Sequence, residues 1–149
     1  MVIRRFVLSA CLVCLIGVIG LNLQALLAER FALPARPLLT LENSSEWRNR
    51  DAIYAKALSS IDSAIALQGS SPGYLDIKGR LLIQRCKYWD KVALKDEWKA
   101  CQKQALDSIQ QALSINTRSP HLWANLLLVK SNLEQFDADF NKALINARH

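Results

Sequence analysis

The first pattern along the chain is an unbroken apolar run. From Phe6 to Ala28 there is no charged side chain, and the only amides are Asn22 and Gln24. As a helix rising about 1.5 Å per residue, this stretch reaches about 34 Å, longer than a bilayer core of about 30 Å. A core helix of a soluble domain keeps a polar face, whereas this run is apolar all round until Asn22, so the pattern predicts a single transmembrane helix. Residues 29–43 follow with Pro34 and Pro37, which break helical hydrogen bonding and predict a juxtamembrane linker. Helical periodicity then returns and fills residues 44–149.

Within that second part, Asn43 and Glu46 have capping-box character, and Trp47, Tyr54, Leu58, Ile61 and Ile65 form a stripe that Gln68-Gly69 ends. Ser71-Pro72 supplies a cap and a first-turn proline for a second helix with Tyr74, Ile77, Leu81 and Leu82, ending near Cys86. Residues 87–94 fit no period. Trp98, Cys101, Ala105, Ile109, Ala112 and Leu113 make a third stripe. Ser119-Pro120 repeats the earlier start signal for a fourth helix with Trp123, Leu126, Leu127 and Leu133, and Phe136, Phe140 and Leu144 predict a fifth. No alternating run bounded by hairpin turn residues occurs, so the fold class predicted is all-α.

The stripes repeat. Ala57-Leu58-x-Ser60-Ile61-x-x-Ala64-Ile65-x-Leu67 matches Ala105-Leu106-x-Ser108-Ile109-x-x-Ala112-Leu113-x-Ile115 at an offset of 48 residues, and Ser71-Pro72 keeps the same offset to Ser119-Pro120. Small alanines at these positions let a neighbouring helix approach while Ile61 and Ile109 fill the gap, which predicts stacked helix hairpins. Pro120-His121-Leu122-Trp123-Ala124-Asn125-Leu126, with Leu133 and Phe136-Asp137 behind it, resembles the tetratricopeptide (TPR) repeat, and Ala105, Ile109 and Ala112 resemble its second helix. The resemblance implies an α-solenoid. Leu127 and Glu134 stand where that family has glycines and Thr117 where it has proline, and the period of 48 replaces about 34. The extra length falls between Cys86 and Trp98.

The wider pattern also resembles the VpsP-like polysaccharide biosynthesis proteins, single-pass TPR-like proteins of bacterial exopolysaccharide clusters. The residues that carry it are Tyr74-Leu75-Asp76-Ile77-Lys78-Gly79-Arg80-Leu81-Leu82, Trp123-Ala124-Asn125-Leu126, Phe136-Asp137-Ala138-Asp139-Phe140 and Ala143-Leu144. That resemblance implies further helix after His149, with the last apolar face left uncovered where the chain stops.

Charge adds a direction. Arg4, Arg5 and the amino terminus precede the apolar run, while Glu29 offsets Arg30 behind it, so the N-terminus is expected in the cytoplasm and the domain in the periplasm of a bacterial inner membrane. A cleaved signal peptide is the competing expectation, but Ala25 and Ala28 are spaced one residue too far apart for a small-x-small site, and the run is long for a signal core. Leu8-Ser9-Ala10-Cys11 looks like a lipidation box with too short an apolar stretch before it. The net charge is +6. Lys91, Lys95, Lys99 and Lys103 recur every four residues and predict one basic helix face, either simply solvated or meeting anionic headgroups or an acidic polymer.

Candidate chemistry is sparse. Cys11-x-x-Cys14 has redox spacing but lies in the apolar run and reads as apolar filler. Cys86 and Cys101 would meet at the facing ends of helices two and three, as a disulfide in an oxidising compartment or as two separate thiols. His121 and His149 have no evident catalytic partner, and none of the five glycines forms a phosphate-binding loop, so neither an enzyme nor a bound cofactor or metal is expected. Tyr88-Trp89 in a basic loop is a candidate for stacking on a sugar or for the lipid interface. The expectation is a membrane-anchored scaffold that holds protein partners of an envelope or exopolysaccharide assembly. With about two and a half hairpins it needs a partner or a second copy to cover its end, and nucleic acid is not expected. The alternative is a periplasmic carbohydrate-binding accessory subunit using Tyr88, Trp89 and the lysine stripe.

Overall fold

The structure is a computed structural model of the chain and describes residues 2–36, 50–87, 89 and 93–148. Those residues form six helices and no strand: α1 (Val2–Ala32), α2 (Arg50–Gln68), α3 (Pro72–Lys87), α4 (Lys95–Ile115), α5 (Pro120–Asn132) and α6 (Ala138–Asn146). The fold is therefore all-α, as the periodicity predicts. Pro37, Asn43, Glu46, Trp47, Tyr88, Lys91 and His149 lie outside the described residues.

Among the described residues, α1 alone is long and apolar enough to cross a membrane, with a mean hydropathy of 1.5 over Val13–Ala32. Its large side chains Val13, Leu15, Ile16, Val18, Ile19, Leu21, Leu23 and Leu26 are 56 to 69% exposed, so none of the described residues covers them. Asn22 donates its side-chain amide to the Val18 carbonyl at 2.7 Å, which satisfies a polar group inside the apolar run.

The helix does not stop at Ala28. It continues to Ala32, and a turn over residues 33–36 carries Pro34 just beyond its end, because Glu29 to Phe31 are tolerant of helix and the first proline comes only at position 34. Ala28, Ala32 and Ala35 are fully buried and α1 packs on α2. The stretch expected to begin a linker thus opens as part of the folded body.

Each later helix packs on the next, and α3 also touches α5. The boundaries follow local chemistry. Gly69, at φ +80°, turns the chain after α2 in a conformation that favours glycine, with its N–H bonded to the Ile65 carbonyl at 2.8 Å. Ser119 caps α5 by accepting from the Leu122 N–H, with Pro120 in the first turn, and Asp137 caps α6 by accepting from the Phe140 N–H at 3.0 Å. The end of α5 is a Schellman turn: Gln135 N–H bonds the Lys130 carbonyl, Glu134 N–H bonds the Ser131 carbonyl, and Glu134 takes the left-handed φ of 57°.

The 48-residue offset is visible in the packing. Ala57 and Ala105, Ile61 and Ile109, Ala64 and Ala112, Tyr74 and Leu122, and Leu75 and Trp123 are buried pair by pair. One pair differs. Gly79 is buried so tightly against α4 that a Cβ there would meet Ile109 Cγ1 at 2.7 Å, whereas its counterpart is the bulky Leu127. Gly79 thus lets α3 approach α4 more closely than a side chain at that position would allow. The stripe expected at Phe136, Phe140 and Leu144 is only partly used: Phe136 precedes α6 and is 65% exposed, and Leu144 and Ile145 are also exposed.

Candidate functional site

A concave feature of the described fold lies where α3 ends, α4 begins and α5 ends. Ile83, Gln84 and Lys87 come from α3, Trp98 and Gln102 from α4, and Leu128 and Asn132 from α5; together they line a cleft of about 390 Å³. Each helix contributes residues four apart, which is the spacing that puts side chains on one helical face. Cys86 and Cys101 are joined by a disulfide behind this wall, with Cα atoms 6.2 Å apart. The bridge ties the last turn of α3 to the second turn of α4 and so fixes two of the three walls relative to each other.

Gln102 is the unusual member. It is 1% exposed in the buried stripe of α4, between Trp98, Cys101 and Ala105. Asn132 donates to its Oε1 at 3.5 Å, the outer limit of a hydrogen bond. A buried amide has two donors and an acceptor to satisfy, so this long contact leaves Gln102 with capacity for a guest in the cleft. With Gln84 and Asn132 as further amides, Ile83, Leu128 and the Trp98 ring as apolar surface, and Lys87 as the single charge, the lining suits a largely neutral ligand rich in hydrogen-bonding groups. Leu128 is 48% exposed at the rim.

The residues singled out from the sequence are distributed differently. Lys95, Lys99 and Lys103 are exposed along α4, and Lys91, the fourth member of the expected stripe, lies outside the described residues. Trp89 is half-buried instead of open for stacking: the Arg85 guanidinium sits 5.1 Å from its ring centre. Arg85 also clamps Asp51 with two hydrogen bonds, Nε to Oδ1 at 2.7 Å and Nη2 to Oδ2 at 2.9 Å. The Arg85 hydrogen bond holds the Asp51 carboxyl below the ordinary carboxylate range and outweighs the opposing effect of burial. Asp51, Arg85 and Trp89 therefore fasten the segment after α3 to the start of α2.

Gln84, Gln102, Leu128 and Asn132 were missed in the sequence. A signal was present, because Gln102 interrupts an apolar stripe at a position where a purely structural helix would place an aliphatic residue.

The opposite end of the bundle is closed by polar contacts. Tyr74 directs its hydroxyl at Glu29 Oε1 (3.1 Å) and Gln68 Oε1 (2.9 Å), and burial, then the Glu29 hydrogen bond, raise its pKa above the ordinary phenol value. Asn125 donates to Asp76 at 2.8 Å, with His121 Nε2 3.4 Å from the same carboxylate. Trp123 donates its ring N–H to the Thr117 carbonyl at 2.8 Å. Among the described residues no group of three His, Cys, Asp or Glu side chains is placed to hold a metal ion. Comparison with models of known protein families, with curated proteins and with solved structures finds no match to this chain.

Proposed function

We propose that this chain is a membrane-anchored, TPR-like scaffold that recruits a protein partner of a bacterial envelope or exopolysaccharide assembly, with its helical domain in the periplasm. The observation that carries the reading is the position of the cleft. It lies at the end of the bundle far from Glu29, where α1 joins the domain, so α1 in a bilayer would leave the cleft open to solvent. The amide and apolar lining suits a peptide segment, whose backbone supplies the donors and acceptors that Gln84, Gln102 and Asn132 would pair. The link to polysaccharide synthesis rests on the resemblance over Tyr74–Leu82 and the segments around Trp123 and Phe140, and the periplasmic side rests on Arg4 and Arg5.

A photo-crosslinking residue in place of Leu128 tests the scaffold in cells. The expected result is a covalent adduct with an envelope protein or with a second copy of the chain, weakened by Asn132→Ala. Recovery of neither overturns the reading. Alkaline phosphatase fused behind Arg148 is expected to be active in the periplasm, and an inactive fusion with normal expression reverses the assigned side.

One observation favours a second reading, the carbohydrate-binding accessory subunit. A Trp ring among three amides is also a sugar-binding combination, placed at Trp98, Gln84, Gln102 and Asn132 instead of at Trp89. An acidic or neutral envelope glycan that binds the full chain and loses affinity on Gln102→Ala and Asn132→Ala, without any protein adduct at Leu128, would select it.

A further inference from the structure

We propose that the end of the bundle carrying the α2–α3 and α4–α5 turns lies on the bilayer and holds anionic phospholipid headgroups through Arg118 and Arg148. The inference rests on reading α1 as a membrane span and adds which surface of the domain meets lipid. It begins with how α1 enters the domain. Glu29 stands at the α2–α3 turn, held by Tyr74, which also contacts Gln68. The large apolar side chains from Val13 to Leu27 are exposed, while Ala28, Ala32 and Ala35 are fully buried, so α1 passes this turn first and then runs along α2. The 22 residues from Phe6 to Leu27 span about 33 Å as helix, enough for a hydrocarbon core of about 30 Å. The headgroup level therefore coincides with the point where docking begins.

Two further turns of chain share that level. Gln111 donates to Ser70 Oγ at 3.4 Å, so the end of α4 and the turn over residues 116–119 lie beside the α2–α3 turn. Helix α6 runs back along α5, because Lys130 meets Asp137 at the far end while Lys142 stands 5.5 Å from the Trp123 ring centre, and this returns Arg148 to the same end. Arg118 and Arg148 are exposed and have no ion-pair partner among the described residues. The carboxylates nearby are engaged: Glu29 with Arg36 at 2.7 Å, Asp76 with Asn125 and His121. Exposed Ile115 and Leu67 add apolar surface at this level.

The lysine stripe is excluded from the contact by distance. Along α4, Lys95 to Lys103 stand about 30 to 18 Å from Ile115, about two to three Debye lengths at moderate salt, so they are screened from a surface that Arg118 touches.

The test uses the full chain in lipid nanodiscs of phosphatidylcholine alone or with one third phosphatidylglycerol, followed by amide hydrogen exchange. Residues 69–71 and 116–119 are expected to exchange more slowly in the anionic discs, by about fivefold for each arginine engaged. The difference should vanish in Arg118→Glu/Arg148→Glu, in the milder Arg118→Gln/Arg148→Gln, and in 0.5 M salt for the unmodified chain. Equal exchange in the two lipids overturns the proposal while leaving α1 as an anchor. A chain that washes off the discs in alkaline carbonate overturns the anchor reading itself, and the proposal with it.

Discussion

Gly79 shows how much one missing methyl group decides. Replacing it by alanine gains up to about 1 kcal/mol of helix propensity but drives a Cβ to 2.7 Å from Ile109 Cγ1, an overpacking cost of about 1 to 3 kcal/mol. The variant Gly79→Ala is expected to unfold more easily by up to about 2 kcal/mol, and in Gly79→Ala/Ile109→Ala most of the glycine's penalty should disappear. Chemical denaturation of the four members of that cycle measures the coupling. Glu134 has the opposite character, since a left-handed φ of 57° costs a non-glycine residue about 1 kcal/mol or more. Glu134→Gly is expected to raise the melting temperature by a few degrees, read by circular dichroism. The sequence already marked position 134 as one where a turn glycine is usual. Position 79 was not legible as a close approach, because a glycine's neighbour across a hairpin depends on helix rotation that no local pattern states.

At the scale of elements, the disulfide and the Asp51 clamp do related work at the far end of the bundle. Cys86 and Cys101 close a separation of 15 residues, for which a bridge contributes about 3 kcal/mol. Cys86→Ala/Cys101→Ala and simple reduction of the unmodified chain are expected to lower stability by similar amounts, and denaturation with and without reductant checks it. Asp51, depressed by Arg85, contributes stability at pH values above its unfolded pKa near 3.8 and loses it as the carboxyl protonates below that. Its side chain is 58% exposed, so screening limits the effect to under about 1 kcal/mol. Asp51→Asn should therefore destabilise slightly at neutral pH and progressively less as the pH falls below 3.8, seen as urea midpoints that converge.

The helices themselves were legible because proline, glycine and serine mark their ends and the 48-residue repeat fixes their order. Two things were not. The residues 87–94 fit no period, and the role of Trp89 follows from Arg85 and Asp51, which no spacing connects. The docking of α1 was written as alanines at positions 28, 32 and 35, a helical face of small residues that the prolines at 34 and 37 obscured.

For the whole molecule, the first helix is both a stretch long and apolar enough to cross a membrane and a packing partner of α2. A chain lacking residues 1–36 would strip the cover from α2, whose Ala57, Ile61 and Ala64 are now at most 3% exposed. That truncation is expected to self-associate and to unfold at lower denaturant than one beginning at residue 24, with light scattering and denaturation as the measurements.

The continuity of α1 into the buried alanines also has a mechanical side. A domain on a slack tether samples a hemisphere, whereas one clamped to its own anchor moves only as that anchor tilts or turns. From Tyr74 to Lys87 the third helix measures about 20 Å, which sets the height of the cleft above the α1 junction much as a post sets the height of a shelf. Under the proposed scaffold reading, a partner would have to arrive at that height and facing that way, so lengthening the post by two helical turns should cost more binding than any single change in the cleft's lining.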